Sequence, residues 1–277
     1  MKKLLLTFVL LLVVATQTYG QIPEEYRQYK QIECKLKPIK RGERRFKNDF
    51  LSPLLKLHDA SSLNWSGYVA ATNLATPQNR SVNSVSGSWV VPKLQPTTAK
   101  TNCSIWVGID GYVSNSVEQI GTEHDWINGQ QRNYAWFEMF PKAAYKILNF
   151  PCRPGHLISA EVVFKGNGTF QLVIFNTTKQ VYFFVPTSYT TFTGAKRSSA
   201  EWIVEAPSKA TILPLANFGT VQFTNCSAKI NGVSGSINDS HWVNDSITME
   251  TSDDIVKAQP SSLSSNGSSF SVTWFHQ

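Results

Sequence analysis

Between Ser61 and Gln277 the chain never sustains a helical period; short runs rich in Val, Ile, Thr and aromatic residues recur instead, separated by Gly, Pro, Asn and Ser. They are Trp65 to Ala71, Val85 to Val91, Ser104 to Ile109, Asn133 to Phe140, Leu157 to Lys165, Thr169 to Phe175, Gln180 to Val185, Ala200 to Glu205, Thr220 to Thr224, Ile247 to Glu250 and Phe270 to Phe275. Runs of this length and spacing predict an all-β sandwich or barrel, and about 215 residues is within the reach of one such domain. Asn167-Gly168 predicts a tight hairpin turn between two of the runs, and Asn231-Gly232 another. No internal repeat of fixed period is present.

What precedes this body differs from it. Met1-Lys2-Lys3, the apolar stretch Leu4 to Val14, and the small residues Thr18 and Gly20 follow the order of a secretory signal peptide, residues 1–20, cut near Gly20. The stretch is too short to span a bilayer and no later segment is long and apolar enough, so a secreted, extracellular chain without a membrane partner is expected. The first 60 residues hold 12 Lys and Arg against 6 Asp and Glu, while the rest is close to neutral, so the net charge of +7 belongs mostly to the N-terminal part. Spread over the body, such a charge would have pointed to nucleic acid or a membrane surface; confined as it is, it points to neither. Residues 21–60 are then either a solvated tail or a cleavable pro-segment, with Lys40-Arg41 and Arg44-Arg45 as processing sites. Cys34, Cys103, Cys152 and Cys226 are free to form disulfides in an exported chain, in a pairing the sequence does not fix.

The common catalytic signatures are missing: there is no Gly-x-Ser-x-Gly, no His-Glu-x-x-His, no phosphate loop and no Cys-x-x-Cys. The histidines, His58, His124, His156, His241 and His276, do not suggest a metal centre or a His-based triad. His124, between Glu123 and Asp125, reads as a surface or loop residue. In Ala200 to Pro207, alternation puts Glu201, Ile203 and Glu205 on one side of a strand and Trp202 and Val204 on the other. A carboxylate beside a bulky aromatic in a half-buried strand is either a paired structural acid or a group with a chemical task. Tyr134, Trp136, Glu138 and Phe140 also share one face. An aromatic face carrying one acid suits a groove for an extended peptide or a sugar better than a core. The run from Ser104 enters the turn Gly108-Ile109-Asp110-Gly111, and Val117-Glu118-Gln119-Ile120-Gly121 follows shortly after.

Seven segments stand in the order seen in the glutamic peptidases, also called eqolisins. They are Asn64-Trp65-Ser66-Gly67-Tyr68, Val85 to Pro92, Trp106 to Gly111, Gln119-Ile120-Gly121, Ala135 to Pro141, Ala200 to Glu205 and Phe218-Gly219-Thr220-Val221. The chain resembles that family over most of residues 61–225 and more weakly beyond. The resemblance implies a concanavalin A or lectin-like sandwich of two large antiparallel sheets, a single catalytic domain over residues 61–277. It also implies an acid-active endopeptidase, made as a zymogen whose basic pro-segment, residues 21–60, inhibits it intramolecularly. By motif position the catalytic pair is Gln119 and Glu201, with Trp65, Trp106, Asp110, Trp136 and Glu138 lining or bracing the cleft. Ionised Glu201 would take a proton from the attacking water and return it to the departing amine, while the Gln119 amide donates to the developing oxyanion. A glutamate with a reference pKa of about 4.3 gives an acidic optimum in this role. No metal or cofactor is implied, the partner is a protein or peptide substrate, and a monomer is expected. Two positions depart from the family pattern, Ile120 where a threonine is expected and Met139-Phe140 in place of a Trp-Tyr-like pair, and both are expected to alter subsite preference.

The competing reading is a lectin-like sandwich that binds or cleaves carbohydrate, with Glu138 and Glu201 as facing carboxylates. Gln119 separates the two, since only the peptidase depends on it.

Overall fold

The computed structural model describes residues 22–39, 60–208 and 211–277. The signal peptide and both dibasic pairs lie outside the described residues. Every strand-like run of the body is a strand, and the strands form two large, almost wholly antiparallel sheets. Across the first sheet the order is Tyr145–Leu148, Gln130–Phe140, Val117–Ile127, Thr101–Ile109, Ser199–Glu205, Trp65–Ala71 and Val243–Glu250. Across the second it is Phe270–Trp274, Thr220–Ile230, Val82–Val90, Leu157–Gly166, Thr169–Asn176 and Val181–Phe184. Val256–Pro260 pairs with both Val243–Glu250 and Phe270–Trp274, so one hydrogen-bonded ladder runs from the first sheet into the second.

Period-two alternation places each strand's apolar set. Ile105, Val107, Ile120, Phe137, Trp202 and Val204 from the first sheet meet Trp89, Ile158, Leu172, Phe223 and Phe270 from the second in one buried layer. Each such side chain contributes roughly 1.5–3 kcal/mol by leaving water. The buried indoles also meet the requirement of their N–H groups across the layer: Trp202 Nε1 donates to the Ser86 carbonyl at 2.7 Å and Trp89 Nε1 to Thr122 Oγ1 at 2.9 Å.

Both foreseen Asn-Gly turns are present, with positive φ at Asn167 and Gly168 (50° and 70°) and at Asn231 and Gly232 (50° and 82°). A third, Asn128-Gly129 (52° and 74°), joins Val117–Ile127 to Gln130–Phe140. Val117–Ile127 is absent from the strand-like runs of the sequence because Glu118, Gln119, Thr122, Glu123, His124 and Asp125 break any hydrophobic alternation, yet all are buried.

His124 corrects its sequence reading: it is fully buried between the sheets rather than on a surface or loop. Its Nδ1–H donates to Asn133 Oδ1 at 2.9 Å and its Nε2 accepts from Thr122 Oγ1 at 2.9 Å, a set that the neutral ring satisfies. Burial lowers its pKa to about 4. Cys34, Cys103, Cys152 and Cys226 are all free thiols, the last three buried.

The described part of the N-terminal segment is built onto the sandwich edge. Lys30–Gln31 runs parallel to Val181–Phe184 in the second sheet, and Lys35–Pro38 antiparallel to Tyr145–Leu148 in the first. The Tyr26 ring stacks on Phe175 with centroids 4.0 Å apart, beside Val173, Tyr182 and Phe184.

Candidate active site

The outer face of the first sheet carries a second cluster: Trp65, Val69, Trp106, Val117, Trp136, Ile203 and Ile247. Register brings the polar residues of this face into rows. Glu138 stands opposite Gln119, Gln119 opposite Gly108, Gly108 opposite Glu201, Glu201 opposite Val69, and Val69 opposite Asp245. Neighbouring strands lie about 4.8 Å apart, so the Cα atoms of Gln119 and Glu201 are separated by roughly 10 Å across a residue with no side chain. The two side chains thus face one another over Gly108. The next row holds Trp136, Gly121, Trp106 and Ile203, and the one beyond it Tyr134, Glu123, Ser104 and Glu205.

Gln119 and Glu201 are both fully buried, and each keeps one oxygen without a hydrogen-bond partner, Oε1 of Gln119 and Oε2 of Glu201. Gln119 Nε2 donates to Glu138 Oε2 at 2.9 Å, which fixes the amide's orientation because a carboxylate only accepts. Glu201 Oε1 accepts from Ser199 Oγ at 2.9 Å. Burial raises the Glu201 pKa well above the ordinary carboxylate value; the Ser199 hydroxyl opposes this, the Asp110 charge adds to it, and the Tyr112 amide opposes it.

The tryptophans expected at the cleft are in this outer cluster. Trp65 and Trp106 meet edge to face at 5.0 Å, and Trp106 Nε1 donates to Glu205 Oε2 at 2.8 Å. Asp110 takes a bracing place. At the end of Thr101–Ile109 it accepts four hydrogen bonds, from Ser198 N and Oγ at 2.8 Å each, Arg197 N at 2.6 Å and Ser116 Oγ at 3.1 Å, and its own N–H donates to the Ser199 carbonyl. It therefore ties down the backbone that leads into Ser199 and Glu201. Gly111 follows with φ of 117°, and a Cβ there would lie 3.1 Å from Glu201 Oε2 and 2.7 Å from the Trp65 ring. Only glycine leaves that space open.

Two expectations are corrected. Ile120 and Met139 point into the core between the sheets, away from the Gln119 face, so neither can contact a substrate held there. Phe140 alone of the departing residues packs against the outer cluster. Sequence reasoning missed Ser199, Glu118 and Asp245; alternation from Glu201 could have placed Ser199 on its face, while Asp245 is brought there only by pairing of Val243–Glu250 with Trp65–Ala71. Among the described residues no group of His, Cys, Asp and Glu is arranged to hold a metal ion, and no helix is long and apolar enough to cross a membrane.

The chain resembles known proteins in both sequence and fold. Aspergillopepsin-2 of Aspergillus niger is 31% identical over 138 residues, 47% of this chain and 46% of the relative, so the match spans about half of the relative's length. Scytalido-glutamic peptidase, solved with a transition state analog inhibitor, superposes with a TM-score of 0.62 at 22% identity, over 77% of this chain and 99% of that one. Aspergilloglutamic peptidase from Aspergillus niger gives a TM-score of 0.56 at 27% identity, over 63% of this chain and 99% of that one. The model of one family, described as the Peptidase A4 family, matches residues 63–274. Because that match takes in both sheets of the sandwich and every strand that contributes to the Gln119 and Glu201 row, the chain belongs to the Peptidase A4 family.

Proposed function

We infer that the chain is an exported, acid-active endopeptidase made as a zymogen, in which Glu201 is base and then acid and Gln119 is the oxyanion donor. The observation that carries this is the row in which Gln119 and Glu201 flank the bare Gly108, each with an unpartnered oxygen. A water held over Gly108 would lose a proton to Glu201 Oε2 as its oxygen adds to the scissile carbonyl carbon. The Gln119 amide spends one N–H on Glu138 and has the other for the oxyanion. Glu201 then gives the proton to the nitrogen as the C–N bond breaks. A base whose pKa is raised by burial is ionised only as pH climbs toward that value, so the acid limb of activity is expected above the 4.3 of free glutamate.

A glycosidase built on Glu138 and Glu201 fits less well. Three strand steps, about 14 Å, separate their Cα atoms, and Glu138 is engaged with Gln119. The inhibitory role of residues 21–60 rests on charge: their surplus of Lys and Arg complements Glu138, Glu201, Glu205 and Asp245 on one face. A separate 21–60 peptide should bind the mature body more tightly at pH 7 than at pH 4; equal affinity would sink that part.

The test is hydrolysis of a denatured protein from pH 2 to pH 7 by the acid-incubated chain, by Glu201→Gln and by Gln119→Ala. Chelator-insensitive cleavage that drops ~100-fold or more in each folded variant is expected. Cleavage that survives either substitution removes the dyad.

A further inference from the structure

Glu118 is the residue next to Gln119, and the proposed chemistry makes no use of it. It faces the opposite side of the sheet, opposite Ile109 on one neighbouring strand and Met139 on the other, and is fully buried. Neither of its carboxyl oxygens has a hydrogen-bond donor. Asp110 lies within hydrogen-bonding reach, but it cannot donate to Glu118, because it serves as acceptor for Ser198, Arg197 and Ser116. Two carboxyls in this relation cannot both be ionised without a nearby cation to offset them.

Among the described residues the cation facing them is Arg197, which is occupied elsewhere. Its Nη1 donates to the Val82 carbonyl at 3.1 Å and its guanidinium lies 3.7 Å over the Phe164 ring. The second acid acting on Glu118 is Glu201, on the other face of the same sheet. With no donor and no salt bridge to Glu118 among the described residues, the arrangement is complete only if Glu118 carries a proton and donates it to Asp110.

We propose that Glu118 is a positioning residue: its protonated carboxyl donates to Asp110, holding in place the turn that leads to Ser199 and Glu201 together with the strand that carries Gln119. Loss of that proton to solvent sets two buried carboxylates against each other beside the dyad. The Gln/Glu dyad contains a single ionisable group and accounts for one limb of a pH profile. The Glu118 proton supplies the other, the fall of activity toward neutral pH. Burial, then Asp110, both act to keep the proton on Glu118 in acid, with Arg197 opposing.

The activity arm rests on the Gln119 and Glu201 reading; the spectroscopic arm does not. Glu118→Gln keeps a donor to Asp110 and cannot ionise. Its kcat/KM should therefore stay level where the wild-type value falls, exceeding it by about tenfold for each pH unit beyond the wild-type limb. Glu118→Leu, with no donor, should lose activity at every pH while Glu118→Gln retains it in acid. Independently, infrared difference spectra of the inactive Glu201→Gln chain between pH 5 and pH 8 should show a protonated carboxyl band that persists above the normal glutamate range. Introducing Glu118→Gln as well should remove the band. Superimposable pH profiles of wild type and Glu118→Gln, or the absence of such a band from Glu201→Gln, would overturn the proposal; the band without the profile change leaves the proton on Glu118 and overturns its part in the reaction.

Discussion

Gly108 is the residue on which the active-site reading can be tested most directly, because it separates Gln119 from Glu201 and its only contribution is an absence. A methyl at 108 would lie 3.0 Å from Trp106 Cζ3, 3.1 Å from Gln119 Cβ and 3.2 Å from the Glu118 carbonyl oxygen. Two of these neighbours are side-chain atoms that can yield by a few tenths of an ångström, so Gly108→Ala should fold. Overpacking of this kind costs about 1–3 kcal/mol, and at about 2–4 °C per kcal/mol for a domain of this size the melting temperature should fall by roughly 2–12 °C. Catalysis should suffer far more, since the methyl occupies the space proposed for the water and presses on the Gln119 stem. A displacement of about 1 Å at a reacting group costs roughly 100-fold, so kcat/KM against denatured protein should drop by about that factor or more. Gly121→Ala is the contrasting control. Its Cβ would meet the Ile105 carbonyl oxygen at 2.2 Å, a backbone clash that opens the pairing of two central strands, and the variant should not fold. A folded Gly108→Ala chain with wild-type kcat/KM would refute the argument that the gap is the reaction site.

Removing the Ser199 hydroxyl should shift the activity profile without abolishing it. Ser199 stabilises the ionised form of Glu201, so Ser199→Ala should move the acid limb of kcat/KM to higher pH, and a limb that stays put would deny Ser199 that role. His124 governs stability with the opposite sign to the buried acids. Its folded pKa of about 4 lies below the ordinary 6.5, so the stability it confers is complete above pH 6.5 and lost as pH falls toward 4. That loss is on the order of 3 kcal/mol. Glu118 and Glu201, whose folded values are raised, contribute most below about pH 4.3 and lose that contribution as pH rises. Urea unfolding of His124→Gln should therefore lack the decline between pH 7 and pH 4, and an unchanged decline would exclude His124 as its source.

The sandwich was legible because most of its strands have one face in an apolar layer, and Trp202 with Val204 or Val221 with Phe223 declare that face by alternation. Val117–Ile127 was not legible as a strand. Both of its faces are buried and one is filled with groups that hydrogen-bond to one another, so its pattern of Glu, Gln, Thr, Glu, His and Asp resembles that of an exposed loop. The same polar character misplaced His124, whose neutral ring is satisfied by Thr122 and Asn133. Gln119 and Glu201 were found through ordered motifs. Their relation across Gly108 needed the register of three strands, and the bond from Gln119 to Glu138 needed a fourth. No periodicity within one strand could have shown that Glu118 and Asp110 converge, because one lies at the start of a strand and the other in the turn after its neighbour.

The segment from Ile22 to Ile39 completes both sheets at the same end of the molecule. Without it, the hydrogen-bonding edges of Val181–Phe184 and Tyr145–Leu148 would both lie bare, next to the aromatic patch of Phe175, Tyr182 and Phe184. An unpaired, apolar strand edge is a template for another chain, and two of them side by side would recruit neighbours from either layer. Lys30, Lys35 and Lys37 cap those edges with positive charge that repels a second copy of the precursor. Release of the segment on activation should therefore leave a body more prone to side-by-side association than its precursor, with an interior that remains well packed.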